Sequence, residues 1–185
     1  GRGFERGLPG PGIARACRGP SWSGETADRD NFHNGRTSGA GVILRAASPE
    51  DAAAIAAIQN PVIRDTAVTF NSIERTVDDV SAAIADAPCF LVAEEAGHLL
   101  GFVSYVQFRR GVGYARSMEH TIVLASEARG RGVGRALMSG AEEHARGAGV
   151  ASLWAGVSGE NPAGVQFHAR LGYEEVARLP KVGYK

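Results

Sequence analysis

An α/β fold, a sheet covered by helices, is what this sequence predicts, and three observations carry that reading. The stretch Met118–Ala136 starts in a β-branched apolar run, Thr121-Ile122-Val123-Leu124, and passes through the glycine turn Arg129-Gly130-Arg131-Gly132-Val133-Gly134. It then enters a helical pattern with apolar residues at Val133, Leu137, Ala141 and Ala145. Two helical patterns and a hairpin precede this stretch, an order that argues against a doubly wound dinucleotide fold. A strand, a helix and a strand follow it, so the order from residue 42 is β-α-α-β-β-β-α-β-α-β.

The elements can be justified in turn. Residues 1–41 are rich in Gly, Arg, Pro and Ser and sustain neither strand nor helix periodicity. They are expected to form a disordered or non-native leader, because they cannot bury enough apolar area to offset the entropy of ordering. The domain proper is expected over 42–185, opening with a strand at Val42–Ala46. Ser48-Pro49-Glu50-Asp51 has the N-cap, the early proline and the acid of a helix start, and that helix should stop near Gln59, before Pro61. Thr76-Val77-Asp78-Asp79 starts a second helix in the same way, ending near Asp86. Phe90–Glu95 and Leu99–Phe108 form a hairpin across Ala96-Gly97-His98. The helix after the glycine turn ends at Gly147, Ala151–Val157 is a strand, Asn161-Pro162 opens a last helix, and Glu174–Val182 is a last strand.

Composition excludes several function classes. Twenty Lys and Arg balance twenty Asp and Glu, so no net charge draws the chain to nucleic acid or to an anionic membrane. No apolar run reaches the length of a bilayer span, and the N-terminus lacks a signal-peptide pattern, so a cytoplasmic protein is expected. Cys17 and Cys89 are too few for a disulfide framework, and Cys89 beside Phe90-Leu91-Val92 reads as a small core side chain rather than a nucleophile. No metal site is expected.

A helix N-terminus behind a glycine turn offers free backbone N–H groups to an anion. The dinucleotide fingerprint fails because Arg135 stands at its third glycine, and a Walker loop fails because Arg135-Ala136 follows Gly134. What fits is Gln or Arg, two residues, Gly, one residue, then Gly or Ala, here Arg129, Gly132 and Gly134. With Glu119 at the start of the preceding strand, and with Asn161–Tyr173 (NPAGVQFHARLGY) downstream, the pattern resembles the GNAT family of N-acetyltransferases. The resemblance implies a mixed, mostly antiparallel sheet covered by helices, with splayed central strands that hold acetyl-coenzyme A.

The resemblance implies roles for particular residues. Amides of Gly130, Arg131, Gly132, Val133, Gly134 and Arg135 would hold the pyrophosphate, with Arg129, Arg131 and Arg135 adding positive charge. The backbone of Ile122, Val123 and Leu124 would carry the pantetheine arm, and Asn161 would contact the arm or the phosphates unless it is simply an N-cap. Glu119 would be the general base that deprotonates the acceptor amine. His168 stands where many members carry the tyrosine that protonates coenzyme A; it could act as that acid or only orient the sulfur. His120 should point to the opposite face from Glu119 and is read as structural or surface.

Further pieces, among them Gly101–Tyr105, Gly113-Tyr114, Met118–Thr121, Phe167-His168 and Val182–Lys185, look like the phosphinothricin and methionine sulfoximine N-acetyltransferases. That implies a small α-amino acid analogue as acceptor. Its carboxylate needs a cation; Arg109 is the first candidate, with Arg110 and Arg116 behind it, while Tyr114 and Phe70 would shape the pocket. A homodimer is implied by the same resemblance, as is a further strand beside the last one. Two alternatives stay open: an acetyltransferase for another small amine, and an acyl-CoA-binding module without turnover.

Overall fold

Runs such as Phe90-Leu91-Val92-Ala93 are apolar at every position because the strands they form are covered on both faces. The computed structural model describes residues 41–185 throughout and, ahead of them, the strand backbones at 13–18 and 36–38. Its strands are β1 (Ile13–Arg18), β2 (Arg36–Ser38), β3 (Val42–Ala46), β4 (Cys89–Glu95), β5 (His98–Gln107), β6 (Ser117–Leu124), β7 (Ser152–Val157) and β8 (Glu174–Arg178). The helices are α1 (Ala52–Asp65), α2 (Val77–Asp86), α3 (Val133–Gly147) and α4 (Pro162–Arg170). The strands form one sheet in the order β2-β3-β4-β5-β6-β7-β1-β8. Every described neighbouring pair is antiparallel except β6 and β7, which run parallel.

Strand alternation divides the core into two layers. Leu91, Ala93, Val103 and Tyr105 belong to the layer that holds Val133, Leu137, Met138 and Ala141 of α3. Val92 and Phe102 belong to the other, with Ala52, Ile55 and Ala56 of α1 and Val80 of α2. The apolar stripe expected on α3 is therefore its buried face, and truncating Leu137 to Ala would cost about 2–5 kcal/mol. The hairpin turn is tight because both Ala96 and Gly97 take positive φ, at 50° and 80°.

Three expectations need correcting. First, α1 does not stop before Pro61: it runs through it to Asp65. The missing N–H of Pro61 leaves the Ala57 carbonyl without its usual donor, but other contacts secure the extra turn. Ile63 is buried at 1% exposure, the Thr66 hydroxyl donates to the Val62 carbonyl, and Asn60 bonds to the backbone of Arg75 in both directions. Second, two pieces of the expected structureless leader join the sheet. β2 pairs with β3 at one edge, and β1 lies between β7 and β8, beside the last strand where the family resemblance implies a further strand. The rest of the leader lies outside the described residues. Third, β8 ends at Arg178 rather than near Val182, and the chain beyond it crosses to the loop after α1, where Lys185 donates to the carbonyls of Ile63 and Thr66.

Replacing Pro61 by Ala restores the missing donor while loosening the unfolded chain. The first effect is the larger, so Pro61→Ala is expected to raise the unfolding free energy by about 1–2 kcal/mol, read from a urea titration with an unchanged m-value.

Candidate active site

The site begins where two strands part. β6 pairs with β5 all the way to Leu124, but with β7 only over Ser117–His120, opposite Ser152–Ala155. Beyond that point the β7-facing side of Thr121–Leu124 leaves the parallel ladder, and its polar backbone groups become open to a ligand. A cavity of about 1180 Å³ occupies the gap, large enough for an extended arm and a small second molecule together. Ile122, Val123, Leu124, Ala155, Gly156 and Val157 are among its walls.

Glu119 sits just before the parting and is half-buried. Its register partner on β7 is Trp154, and the next residue on the same face is Gly156. The Glu119 carboxylate leans onto that glycine: a Cβ built at Gly156 would lie 2.7 Å from Glu119 Oε1. Gly156 has no positive φ, so the absence of a side chain there is a matter of space. Burial raises the Glu119 pKa above the ordinary carboxylate value. A half-buried carboxylate of raised basicity at the mouth of a cleft is suited to taking a proton.

At the far end of β6 the chain makes one 3-10 turn, Ser126–Ala128, and then the glycine turn. Gly130 and Gly132 adopt φ of 75° and 82°, a left-handed conformation that favours glycine, and Gly132 is the N-cap of α3. No side chain caps the first turn of α3, which leaves its amides for an anion. Gly134 packs that turn tightly: a Cβ there would meet Leu124 and Phe167 at 3.2 Å. Arg129, Gly130, Gly132, Gly134 and Arg135 line the cavity. These features fit the pyrophosphate of coenzyme A, with the arm continuing along β6.

Two side chains of the expected set point away from the cavity. Arg131 is turned to the hairpin, its Nη2 2.7 and 2.9 Å from the two carboxylate oxygens of Glu95, and the Val133 side chain is buried in the core, while its amide belongs to the uncapped first turn of α3. Asn161 does line the cavity, and its Oδ1 also accepts from the Gly164 amide at 2.8 Å, so the N-cap role is real. Gly164 leaves room for that carboxamide, which a Cβ would strike.

Another part of the cavity wall comes from Thr66, Val68, Thr69, Phe70, Asn71, Ser104, Val106, Phe108, Ser158, Leu179 and Val182. Phe70 lies there as expected, against Gly183, where a Cβ would collide with its ring. Arg109 and Tyr114 do not line the cavity. Gln107 Nε2 donates to the carbonyls of Arg109 and Gly111, which folds that loop onto itself, and the Arg109 guanidinium lies over Phe108 at 5.9 Å from the ring centroid. Arg116 is likewise engaged, donating to the Gly149 carbonyl at 2.7 Å. The lining residue with a cation at the α1–α2 connection is Arg75, which sequence reasoning missed. Its backbone is clamped by Asn60 at 2.9 and 3.0 Å, and its Nη2 donates to the Asp79 carbonyl at 3.2 Å, which together hold the guanidinium at the edge of the cavity. Nothing in its position just before a helix cap signals that use. Gly156 was also missed, although a glycine inside an apolar strand is a recognised mark of close approach.

His168 and His120 are both buried and both line the cavity, their Nε2 atoms 3.0 Å apart. His120 is thus a buried partner of α4. Burial first, and then His168, lower its pKa to about 3, so it is neutral. Cys89 is buried and its thiol is pushed up to about 12 by desolvation, which leaves no thiolate there for covalent transfer. Among the described residues no group of His, Cys, Asp and Glu is arranged to hold a metal ion, and no helix is long and apolar enough to cross a membrane.

Comparison with known proteins gives the same picture. The model of the acetyltransferase (GNAT) family matches residues 56–173. The L-amino acid N-acyltransferase MnaT of Escherichia coli is 33% identical over 149 residues, covering 77% of this chain and 85% of the relative. The L-methionine sulfoximine/L-methionine sulfone acetyltransferase of Salmonella typhimurium is 34% identical over 148 residues, with coverage of 77% and 85%. A phosphinothricin acetyltransferase of Sinorhizobium meliloti, solved in complex with acetyl-CoA, superposes with a TM-score of 0.74 at 25% identity, covering 78% of this chain and 81% of its own. With strands that part over Glu119, a glycine turn opening α3 and a family match across most of the domain, the chain belongs to the GNAT family and is an acetyl-CoA-dependent N-acetyltransferase.

Proposed function

We propose that the chain transfers the acetyl group of acetyl-CoA directly to the α-amine of a small amino acid analogue such as phosphinothricin or methionine sulfoximine. The observation that carries this reading is the half-buried Glu119 carboxylate, its pKa raised by burial, resting on Gly156 where β6 and β7 part. The names of the relatives support the substrate class.

Acetyl-CoA supplies an acetyl group activated as a thioester; the chain supplies position and proton transfer. The first turn of α3 and Arg129 and Arg135 hold the pyrophosphate, and the backbone of Ile122–Leu124 orients the arm and polarises the carbonyl. Glu119 removes a proton from the acceptor ammonium, directly or through one water, so that the amine can attack. Arg75 takes the acceptor's carboxylate, with a geometry that a point charge would not match. Val68, Phe70 and Val182 give the acceptor side chain an apolar wall. The expected homodimer, and 42–185 as the acetyltransferase domain, are part of this proposal.

The first test is release of coenzyme A in the presence of phosphinothricin, methionine sulfoximine, methionine sulfone, ordinary amino acids and a polyamine. Strong release with the first two supports the reading; acetyl-CoA binding without release for any amine favours the module without turnover. Glu119→Gln should lower kcat by about 10²–10⁴-fold and leave acetyl-CoA affinity within about twofold. Because the folded pKa of Glu119 is raised, its base form is lost as pH falls at a higher pH than for an ordinary carboxylate. The acid limb of kcat/KM should lie correspondingly high and vanish in the Gln variant.

Gly156→Ala should displace the Glu119 carboxylate and cut kcat by about tenfold or more, with the acetyl-CoA KM little changed. Arg75→Ala should raise the KM of a carboxylate-bearing acceptor by about tenfold or more while an amine without a carboxylate is unaffected; equal effects on both would remove Arg75 as the receptor.

A further inference from the structure

The connection between α1 and α2 has no anchor of its own in the core. From Arg64 to Asp79 every residue is exposed or half-buried; the flanking buried side chains are Ile63 before it and Val80 after it. Yet Thr66, Val68, Thr69, Phe70 and Asn71 line the cavity, so part of its wall belongs to a segment that apolar packing does not hold in place. Its own hydroxyls shape it locally. Thr66 Oγ1 donates to the Val62 carbonyl and accepts from the Val68 amide, and Thr69 Oγ1 accepts from the Asn71 amide. Bonds of such short range set curvature, not the distance from the segment to the sheet. Asn60 clamps the far end at Arg75 and leaves residues 66–71 in between.

The tail touches this segment but is no firmer. Lys185 donates to the carbonyls of Ile63 and Thr66, and Gly183 lies against the Phe70 ring, but from Leu179 to Lys185 the tail has no buried residue either. Two soft segments leaning on each other can shift together. The tie to the sheet comes from Ser158. It directly follows β7, whose Leu153, Ala155 and Val157 are core residues, and it is itself only 3% exposed. Its Oγ lies 2.9 Å from the Ala67 carbonyl oxygen and 3.2 Å from the Glu160 amide nitrogen. The carbonyl can only accept and the amide can only donate, so the single hydroxyl hydrogen is committed to Ala67. Ser158 lines the cavity, but its proton is engaged by the loop and is not offered to a ligand. Its own carbonyl accepts from the Asn161 amide at 2.9 Å, which fixes the turn that opens α4.

We propose that Ser158 is a positioning residue for the acceptor: its hydroxyl, donating to Ala67, holds residues 66–71 against the end of β7 and so sets the width of the cavity beside Phe70. This rests on the acetyl-transfer reading above for which molecule occupies that part of the cavity. Replacing the side chain leaves the Ser158 carbonyl, and with it the Asn161 turn, as they are. Loss of the hydroxyl therefore acts on the acceptor wall and spares the cofactor end. The Ala67 carbonyl and the Glu160 amide both lose their partner, and the loop loses its contact with the rigid part of the fold.

The test uses the full chain and Ser158→Ala, which removes the hydroxyl and adds no bulk. The first readout is amide hydrogen exchange without substrate. Val68, Asn71 and Glu160 should exchange about fivefold faster or more, while Leu137 in the middle of α3 is unchanged. Unchanged exchange at Val68 and Asn71, or faster exchange at Leu137 as well, overturns the proposal. The second readout is steady-state kinetics with acetyl-CoA and methionine sulfoximine. The acceptor KM should rise about fivefold or more, with kcat and the acetyl-CoA KM within about twofold. An equal rise in both KM values, or a fall in kcat with the acceptor KM unmoved, overturns it. Local loosening of 66–71 in the variant, with a wild-type protein that acetylates no amine, would instead sink the acetyl-transfer reading and leave the tie between Ser158 and the loop standing.

Discussion

Everything in the site depends on the place where β6 and β7 stop pairing. A parallel ladder that continued past His120 and Ala155 would consume the backbone groups of Ile122–Leu124 and close the sheet. By ending after four residue pairs it keeps the strands rigid on one side of the break and open on the other. The rigid half carries Glu119; the open half is the slot. The glycine turn lies at the far end of the same strand, so one stretch of chain, from Glu119 to Arg135, sets both the reacting end and the anion-binding end at a fixed separation.

The sheet also works as a partition. Alternation sends Glu119 and Val123 to the side of α1 and α2, and His120, Ile122 and Leu124 to the side of α3 and α4. Glu119 and His120 are adjacent in sequence yet leave on opposite faces of the sheet, and both line the one cavity between the strands. Such a layout lets one face be dry and apolar around His168, Tyr173 and Phe167 while the other stays open to a polar acceptor.

Much of this was legible in the sequence. The strand–turn–helix of Thr121–Ala145 depends on local signals, apolar periodicity and glycines at positive φ, and it falls where the pattern puts it. Capping signals at Thr76 and Asn161 worked for the same reason: the partners, Asp79 and Gly164, are three residues away. The misreadings concern long-range contacts. Pro61 reads locally as a helix stop, but Ile63 in the core and Asn60 on Arg75 outweigh it. Arg109 reads as an available cation because it lies near the central strand in sequence, whereas Arg75, 44 positions before Glu119, reaches the cavity through a clamp invisible in one dimension. His120 was placed on the correct side of β6, but its partner 48 residues away gives it a meaning that alternation alone does not.

The two halves of the cavity differ in how they are assembled. The cofactor half is largely one continuous run of chain. The acceptor wall is stitched from three distant pieces, the loop after α1, the end of β7 and the tail after β8, joined by the Ser158 hydroxyl on the Ala67 carbonyl at 2.9 Å, Gly183 against Phe70, and Lys185 on the end of α1. Each piece can change in length or side chain without moving the glycine turn. The two halves of the cavity are therefore mechanically separate: a change in any one of these three pieces reshapes its wall and leaves the glycine turn as it is.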